Sequence, residues 1–352
     1  MASFASPTPA PPSIARKQFP WTIAGVIAAL VLGEAAIRPF GGPRVYPEVS
    51  IAEDRGSLRA LERREYAEGI AVSHFSVGNE RALGVPAPVG GPPLVLLGDS
   101  HVEALEVGDA EVMGTELQRL LNARIAGSGV LPPVVREYGR SSAGIATYLL
   151  VAPEIRTRIA PNWVVVTLVD NDFNDDMFSG TVRMVREPEG WHAEGRDPWL
   201  QVPPEAGSLR RRIGDAVVAR SALLYRLGMR GVAVVHSWTS PVPPVTGLPP
   251  VDERAALAVS QLSDAYGGAL RILFIADVGL DGTPATPAEE AVLRHCARLG
   301  VRCASTRDAM LELRRDSLEV SRGFYNTVPG IGHLNPAGHR ATARAIADRL
   351  IP

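Results

Sequence analysis

The sequence predicts an α/β fold, a three-layer sandwich around a mainly parallel five-stranded sheet, preceded by one transmembrane helix. Three observations predict it. Short apolar runs bounded by Gly or Pro recur along residues 92–352, as buried parallel strands do. Helical patterns with cap signals alternate with them, and that alternation places helices on both faces of a parallel sheet. Near the start, Phe19–Ile37 is an almost unbroken apolar stretch.

Residues 1–17 are rich in Ala, Pro and Ser with no helical period, which predicts a disordered cytoplasmic tail. The apolar stretch lies within a helix expected over 18–39; at about 1.5 Å per residue its length matches a bilayer's hydrocarbon core of roughly 30 Å. No small-residue cleavage site follows it, so an uncleaved anchor is expected. Arg16 and Lys17 on its leading side favour a cytoplasmic N-terminus. That orientation puts the main domain in the periplasm or otherwise outside the cytoplasm, tethered to the inner membrane by a single pass. Residues 40–91 form a connecting segment.

The predicted strands are Leu94–Leu97, Val134–Glu137, Val164–Val169, Arg271–Ala276 and Val301–Ala304. Helical patterns run over Glu111–Ala126 and Leu209–Met229, from Thr286-Pro287 to Leu299, and from Asn335-Pro336 to Leu350. The last two open on a cap residue followed by proline at the first helical position. Residues 177–207, with Gly180, Gly190, Trp191, Gly195 and Trp199, break the rhythm and read as a hairpin or flap.

Composition narrows the classes. With 352 residues, 46% hydrophobic and 21% charged, the chain can bury a sizeable core and is not of disordered type. A formal net charge of -2 gives no basis for a nucleic-acid surface. Two cysteines exclude a disulfide scaffold and a cysteine-only zinc site. Cys296 and Cys303 are expected either to pair as a disulfide outside the cytoplasm or to serve as small buried apolar residues.

Four short blocks fall where an open parallel sheet places its sites. Gly98-Asp99-Ser100-His101 follows the first strand and opens a helix, so Ser100 sits where backbone N–H groups favour an anion. Tyr138-Gly139-Arg140-Ser141-Ser142-Ala143-Gly144 follows the second strand and brings a glycine whose N–H can face an oxyanion. Asp170-Asn171-Asp172 ends the third, and Asn171 carries a side-chain amide able to do the same. The acidic residues around Asn171 match no calcium-loop spacing, and neither a metal nor a cofactor is expected. His333-Leu-Asn335-Pro336 precedes the final helix.

In this order the four blocks resemble the SGNH (GDSL-type) hydrolase and acyltransferase superfamily, over roughly residues 92–350. The resemblance implies Ser100 as nucleophile and His333 as general base. It also implies an oxyanion hole made of the Ser100 N–H, the Gly144 N–H and Asn171. The anchor ending in Gly33-Glu34 and Arg38 is similar to the superfamily's membrane-tethered branch. Two features depart from the pattern. The family places an Asp two or three residues before the catalytic His, where this chain has Ile331 and Gly330, and no Asp or Glu lies between Glu319 and His333. The third block carries Val169 where the family has Gly.

The missing acid matters because in a Ser-His-Asp protease Asp to Asn lowers turnover about 10⁴-fold. Two classes follow. With the orienting Asp absent, the chain is expected first to be a structural or accessory subunit of an integral membrane complex, with photosynthetic and respiratory assemblies as candidates. The alternative is a serine esterase or O-acyltransferase acting on an acylated glycan or lipid, with Asn326, a backbone carbonyl or a distant acid such as Asp277 or Asp308 in place of the missing Asp.

Overall fold

The computed structural model describes residues 15–37, 61–65, 71–75, 80–174, 176–179, 182–188, 190–195, 248–279, 282–325 and 327–352. The chain divides into two units, one of residues 1–43 and 209–238, the other of 44–208 and 239–352. In the first, Ala15–Ile37 forms one helix of 23 residues, α1. Among the described residues no helix is long and apolar enough to cross a membrane. The segment expected to span the membrane over 18–39 is helical from Ala15 to Ile37, but the expected transmembrane character is not found in it; insertion in a bilayer is taken up below as a proposal. The helix expected over 209–229, Trp199 and Asn326 lie outside the described residues.

The second unit is built on five strands. They are β3 (Pro93–Gly98), β4 (Val134–Gly139), β5 (Trp163–Leu168), β8 (Leu270–Phe274) and β9 (Arg302–Ser305), in the order β4-β3-β5-β8-β9. Every neighbouring pair is parallel. Leu94 to Leu97 and Val164 to Val166 are fully buried, because successive side chains point into opposite, equally covered faces. Those fully apolar runs made the strands readable in advance, to within a residue or two at each end.

The helices form the two outer layers. On one face Val95, Leu97, Val164, Val166, Ile272 and Phe274 pack against α4 (Ile145–Glu154), α6 (Val251–Tyr266) and α7 (Pro287–Leu299). On the other, Leu94, Leu96, Val165 and Leu273 meet α3 (Met113–Arg124), α8 (Arg307–Ser317) and α9 (Pro336–Ala345). The predicted caps form: Thr286 Oγ1 accepts from Glu289 N at 3.2 Å and Asn335 Oδ1 from Gly338 N at 3.0 Å. Cys296, at the end of α7, and Cys303, in β9, are joined by a disulfide, which resolves the alternative left open above. It ties a helix to the edge strand at a point where the chain turns back on itself.

Two antiparallel hairpins are appended. Leu61–Glu65 (β1) pairs with Ala71–Phe75 (β2) within the connecting segment. Val182–Glu187 (β6) pairs with Gly190–Gly195 (β7) inside the expected flap, after a single turn of helix at Asp176–Ser179 (α5). The Trp191 ring stands against Phe178 at 5.3 Å between centroids, so this tryptophan packs within the flap.

Candidate active site

The sheet order explains why residues far apart in sequence meet. β3 lies between β4 and β5, and the three strands end together. β3 delivers Gly98-Asp99-Ser100, the chain after β4 delivers Ser141 to Gly144, and a 3-10 turn over Asp170–Phe173 after β5 delivers Asn171. Ser100 begins a one-turn helix, α2 (Ser100–Glu103), capped by Asp99, whose Oδ1 accepts from His101 N at 2.9 Å. The approach is close: a Cβ on Gly98 would lie 2.2 Å from both Thr167 Oγ1 and Val102 Cγ2. A Cβ on Gly139 would lie 1.9 Å from the Glu103 backbone N. Only glycine lets α2 seat against the ends of β4 and β5.

His333 reaches the nucleophile: its Nε2 stands 2.9 Å from Ser100 Oγ. The loop carrying it is fastened at several points. Gly323 N donates to His333 O at 3.1 Å, Arg322 Nη1 donates to Gly332 O at 2.9 Å, and Asn335 Nδ2 donates to Val320 O and Gly323 O. Gly144, which precedes α4, and Asn171 line one small cavity of about 60 Å³ with Ser142, Thr147, Asp172, Met177 and Val182. Ser142 holds a left-handed backbone at φ 68°, a conformation unusual for a residue with a side chain. The structure thus brings Ser100 to His333, and Gly144 to Asn171 in a cavity that neither Ser100 nor His333 lines.

Four polar residues near these groups escaped the sequence reading. Glu103 is fully buried in α2, and its Oε2 accepts from Ser141 N at 2.8 Å and Ser141 Oγ at 2.5 Å, fastening the second block to the nucleophile helix. Arg81 is buried and donates to the carbonyls of Glu103, Ala104 and Val107 at 2.7, 2.9 and 2.6 Å, clamping the chain after α2. Arg322 stands beside His101 at 3.2 Å. Glu106 Oε1 lies 3.6 Å from His333 Nδ1, with the Glu106 side chain only 5% exposed. The distant acids considered above pair elsewhere, Asp277 with Arg322 and Asp308 with Arg349. For Glu103 and Glu106 the one sequence signal is the density of acids just after Gly-Asp-Ser; Arg81 and Arg322 have none.

The electrostatics separate these groups. Burial, with the positive charge of Arg322 nearby, holds the His101 imidazole neutral, its basicity well below the ordinary range. Its ring meets His333 edge-on at 5.2 Å, so it packs against the base without competing for charge. Burial also raises Asp172 well above the usual carboxyl range, and the nearby Asp99 raises it further, against the lowering effect of the Val169 N–H. Asp99 is raised by burial too, but the His101 N–H, His333 and Arg322 act in the opposite direction.

No family model and no curated protein matches the sequence. Among solved structures the chain is similar to LAE5, an alpha/beta hydrolase enzyme from the metagenome of Lake Arreo, Spain, at 12% identity and a TM-score of 0.40. That match covers 75% of this chain and 94% of that one. It is similar to Axe2, an acetylxylan esterase from Geobacillus stearothermophilus, at 13% identity and a TM-score of 0.39, over 74% of this chain and 95% of that one. A protein of Parabacteroides merdae described as a GDSL-like lipase is similar at 8% identity and a TM-score of 0.36, over 75% and 96% of the two chains.

One pH dependence follows from the packing under this site. Glu137 in β4 is fully buried, and burial outweighs the attraction of Arg81 and the Gly114 backbone N–H to push its carboxyl up to about 8. An unfolded Glu releases its proton near pH 4, at about 4.3. Between roughly pH 4 and about 8 the folded chain therefore binds more protons than the unfolded one, and stability falls as pH rises through that window. Glu137→Gln should flatten this fall, measured as urea midpoints at pH 5 and pH 8; an unchanged difference between the two would contradict it.

Proposed function

We propose that this chain is a serine esterase, the second of the two classes that the sequence left open. The observation that carries the reading is the 2.9 Å contact between Ser100 Oγ and His333 Nε2 at the shared ends of β4, β3 and β5. A nucleophile within hydrogen-bond reach of a base is the signature of covalent acyl transfer. Ser100 Oγ attacks the acyl carbonyl as its proton passes to His333 Nε2. The oxyanion forms beside the Ser100 and Gly144 N–H groups and the Asn171 amide. His333 then returns the proton to the leaving alkoxide as the ester C–O bond breaks, and water releases the acyl group by the same path. The cavity beside Gly144 and Asn171, about 60 Å³, suits a short acyl group. An acylated glycan or lipid is the proposed substrate class.

The proposal extends to location. α1 exposes Val26, Ile27, Leu30, Val31 and Leu32, each between 48% and 70% exposed, and an apolar face of this kind supports insertion in the inner membrane. The Cys296–Cys303 disulfide supports a main domain outside the cytoplasm. Docking on an integral membrane complex remains the proposal for α1's partner.

Full-length protein should hydrolyse short p-nitrophenyl esters, and Ser100→Ala should lower that rate about 10³-fold or more while leaving the circular dichroism spectrum unchanged. A variant that keeps the wild-type rate removes the esterase reading. In cell fractions the full chain should sediment with membranes and leave them only in detergent; release by alkaline carbonate would remove the anchor.

A further inference from the structure

The pair of Ser100 and His333 lacks an acid where the resemblance places one, yet the fold brings a carboxylate to the Nδ1 side of the imidazole from another element. We propose that Glu106 is the orienting acid of this site, a positioning residue that holds the His333 ring and steadies its positive charge during acyl transfer. The proposal rests on the esterase reading and deepens it.

The geometry divides the two ring nitrogens. Nε2 faces Ser100 Oγ at 2.9 Å, and Nδ1 faces Glu106 Oε1 at 3.6 Å. With Nδ1 protonated and turned to Glu106, the lone pair on Nε2 faces the serine, which is the tautomer that general-base catalysis requires. The Nδ1 distance is longer than a formed hydrogen bond, and contacts of this kind commonly tighten when the substrate is bound. Glu106 is 5% exposed, so little water screens its charge from the ring.

The other titratable groups around His333 are otherwise engaged. His101, edge-on to the ring, and His339, whose Nδ1 accepts from Met113 N, are both held neutral by burial, His339 lowered to about 3. Asp99 is committed to the His101 N–H at the cap of α2. Arg322 spans His101 and the Gly332 carbonyl.

Glu106 is also held in place. Arg81 donates to the carbonyls of Glu103, Ala104 and Val107, on both sides of Glu106 in the chain, and is itself tied to Asp109 at 3.2 Å. This short segment would otherwise be free to swing its acid away from the ring. The acid therefore comes from the nucleophile's own loop, six residues after Ser100, rather than from the histidine's loop. In the reaction the Ser100 proton moves to Nε2 and later to the leaving oxygen, while Glu106 stays ionised and takes no proton.

The test uses the full chain in detergent with Glu106→Gln and Glu106→Asp, assayed on p-nitrophenyl acetate. Glu106→Gln should lower kcat about 10²- to 10⁴-fold with KM changed only a few-fold, and should move the low-pH limb of the rate profile to lower pH. Glu106→Asp should restore part of kcat. Arg81→Lys, which retains charge but not three carbonyl contacts, should lower kcat in the wild type and add little to Glu106→Gln. Independently of turnover, Ser100→Ala protein should show a low-field proton resonance from His333 Nδ1–H that is lost on adding Glu106→Gln. Wild-type kcat in Glu106→Gln, or an unchanged resonance, overturns the proposal. If the wild type hydrolyses nothing, the esterase reading fails, and the resonance alone decides whether Glu106 holds the ring.

Discussion

In a parallel ladder neighbouring strands end on the same edge, and everything at this site depends on that constraint. β3 has β4 on one side and β5 on the other, so the loops that leave these strands have to meet above it. The loops have little freedom, because Gly98 and Gly139 allow α2 to sit directly on the strand ends. The sheet itself is held by complete burial on both faces, where each Val or Leu side chain contributes roughly 1.5–3 kcal/mol by leaving water. The position of Ser100 is thus fixed by core packing that has no chemical role of its own.

Around the strand ends the protein tolerates groups that a stability-driven core would not hold. Glu103, Glu137, Asp172, Arg81 and Arg322 are all buried. Isolated charges and unpaired polar atoms in such places are costly, and burial of Glu137 outweighs the groups that favour its charge. Their arrangement is local and consistent. Glu103 holds the loop after β4, Arg81 holds the loop after α2, and Arg322 holds the loop before His333. Each fastens one of the segments that a one-turn helix and irregular backbone leave without a regular hydrogen-bond ladder.

Much of this was legible in the sequence because it rests on local signals. Leu94–Leu97 is apolar at every position and Val164–Val169 at all but Thr167, which marks strands covered on both faces. The dipeptides Thr286-Pro287 and Asn335-Pro336 mark helix starts that form as expected. Ser100, His333, Gly144 and Asn171 stood out because strand-end position and residue type coincide. α4, α6 and α8 were not singled out; Pro153 falls within α4, and α8 is charged on most of its surface. Glu106 was illegible for a different reason. The sequence places it in an unremarkable acidic stretch, and only the fold of the 104–112 loop turns it toward His333. An acid recognised by its spacing from the histidine cannot be found when it arrives through the nucleophile's loop.

The most direct measurement is the reaction of the purified full-length chain with a fluorophosphonate, read by peptide mass spectrometry. The account predicts rapid phosphonylation confined to Ser100, slowed strongly by His333→Ala, because the 2.9 Å contact activates this one hydroxyl. A folded protein whose Ser100 remains unlabelled, or labels just as fast in His333→Ala, would contradict the claim that this pair forms a working nucleophile and base.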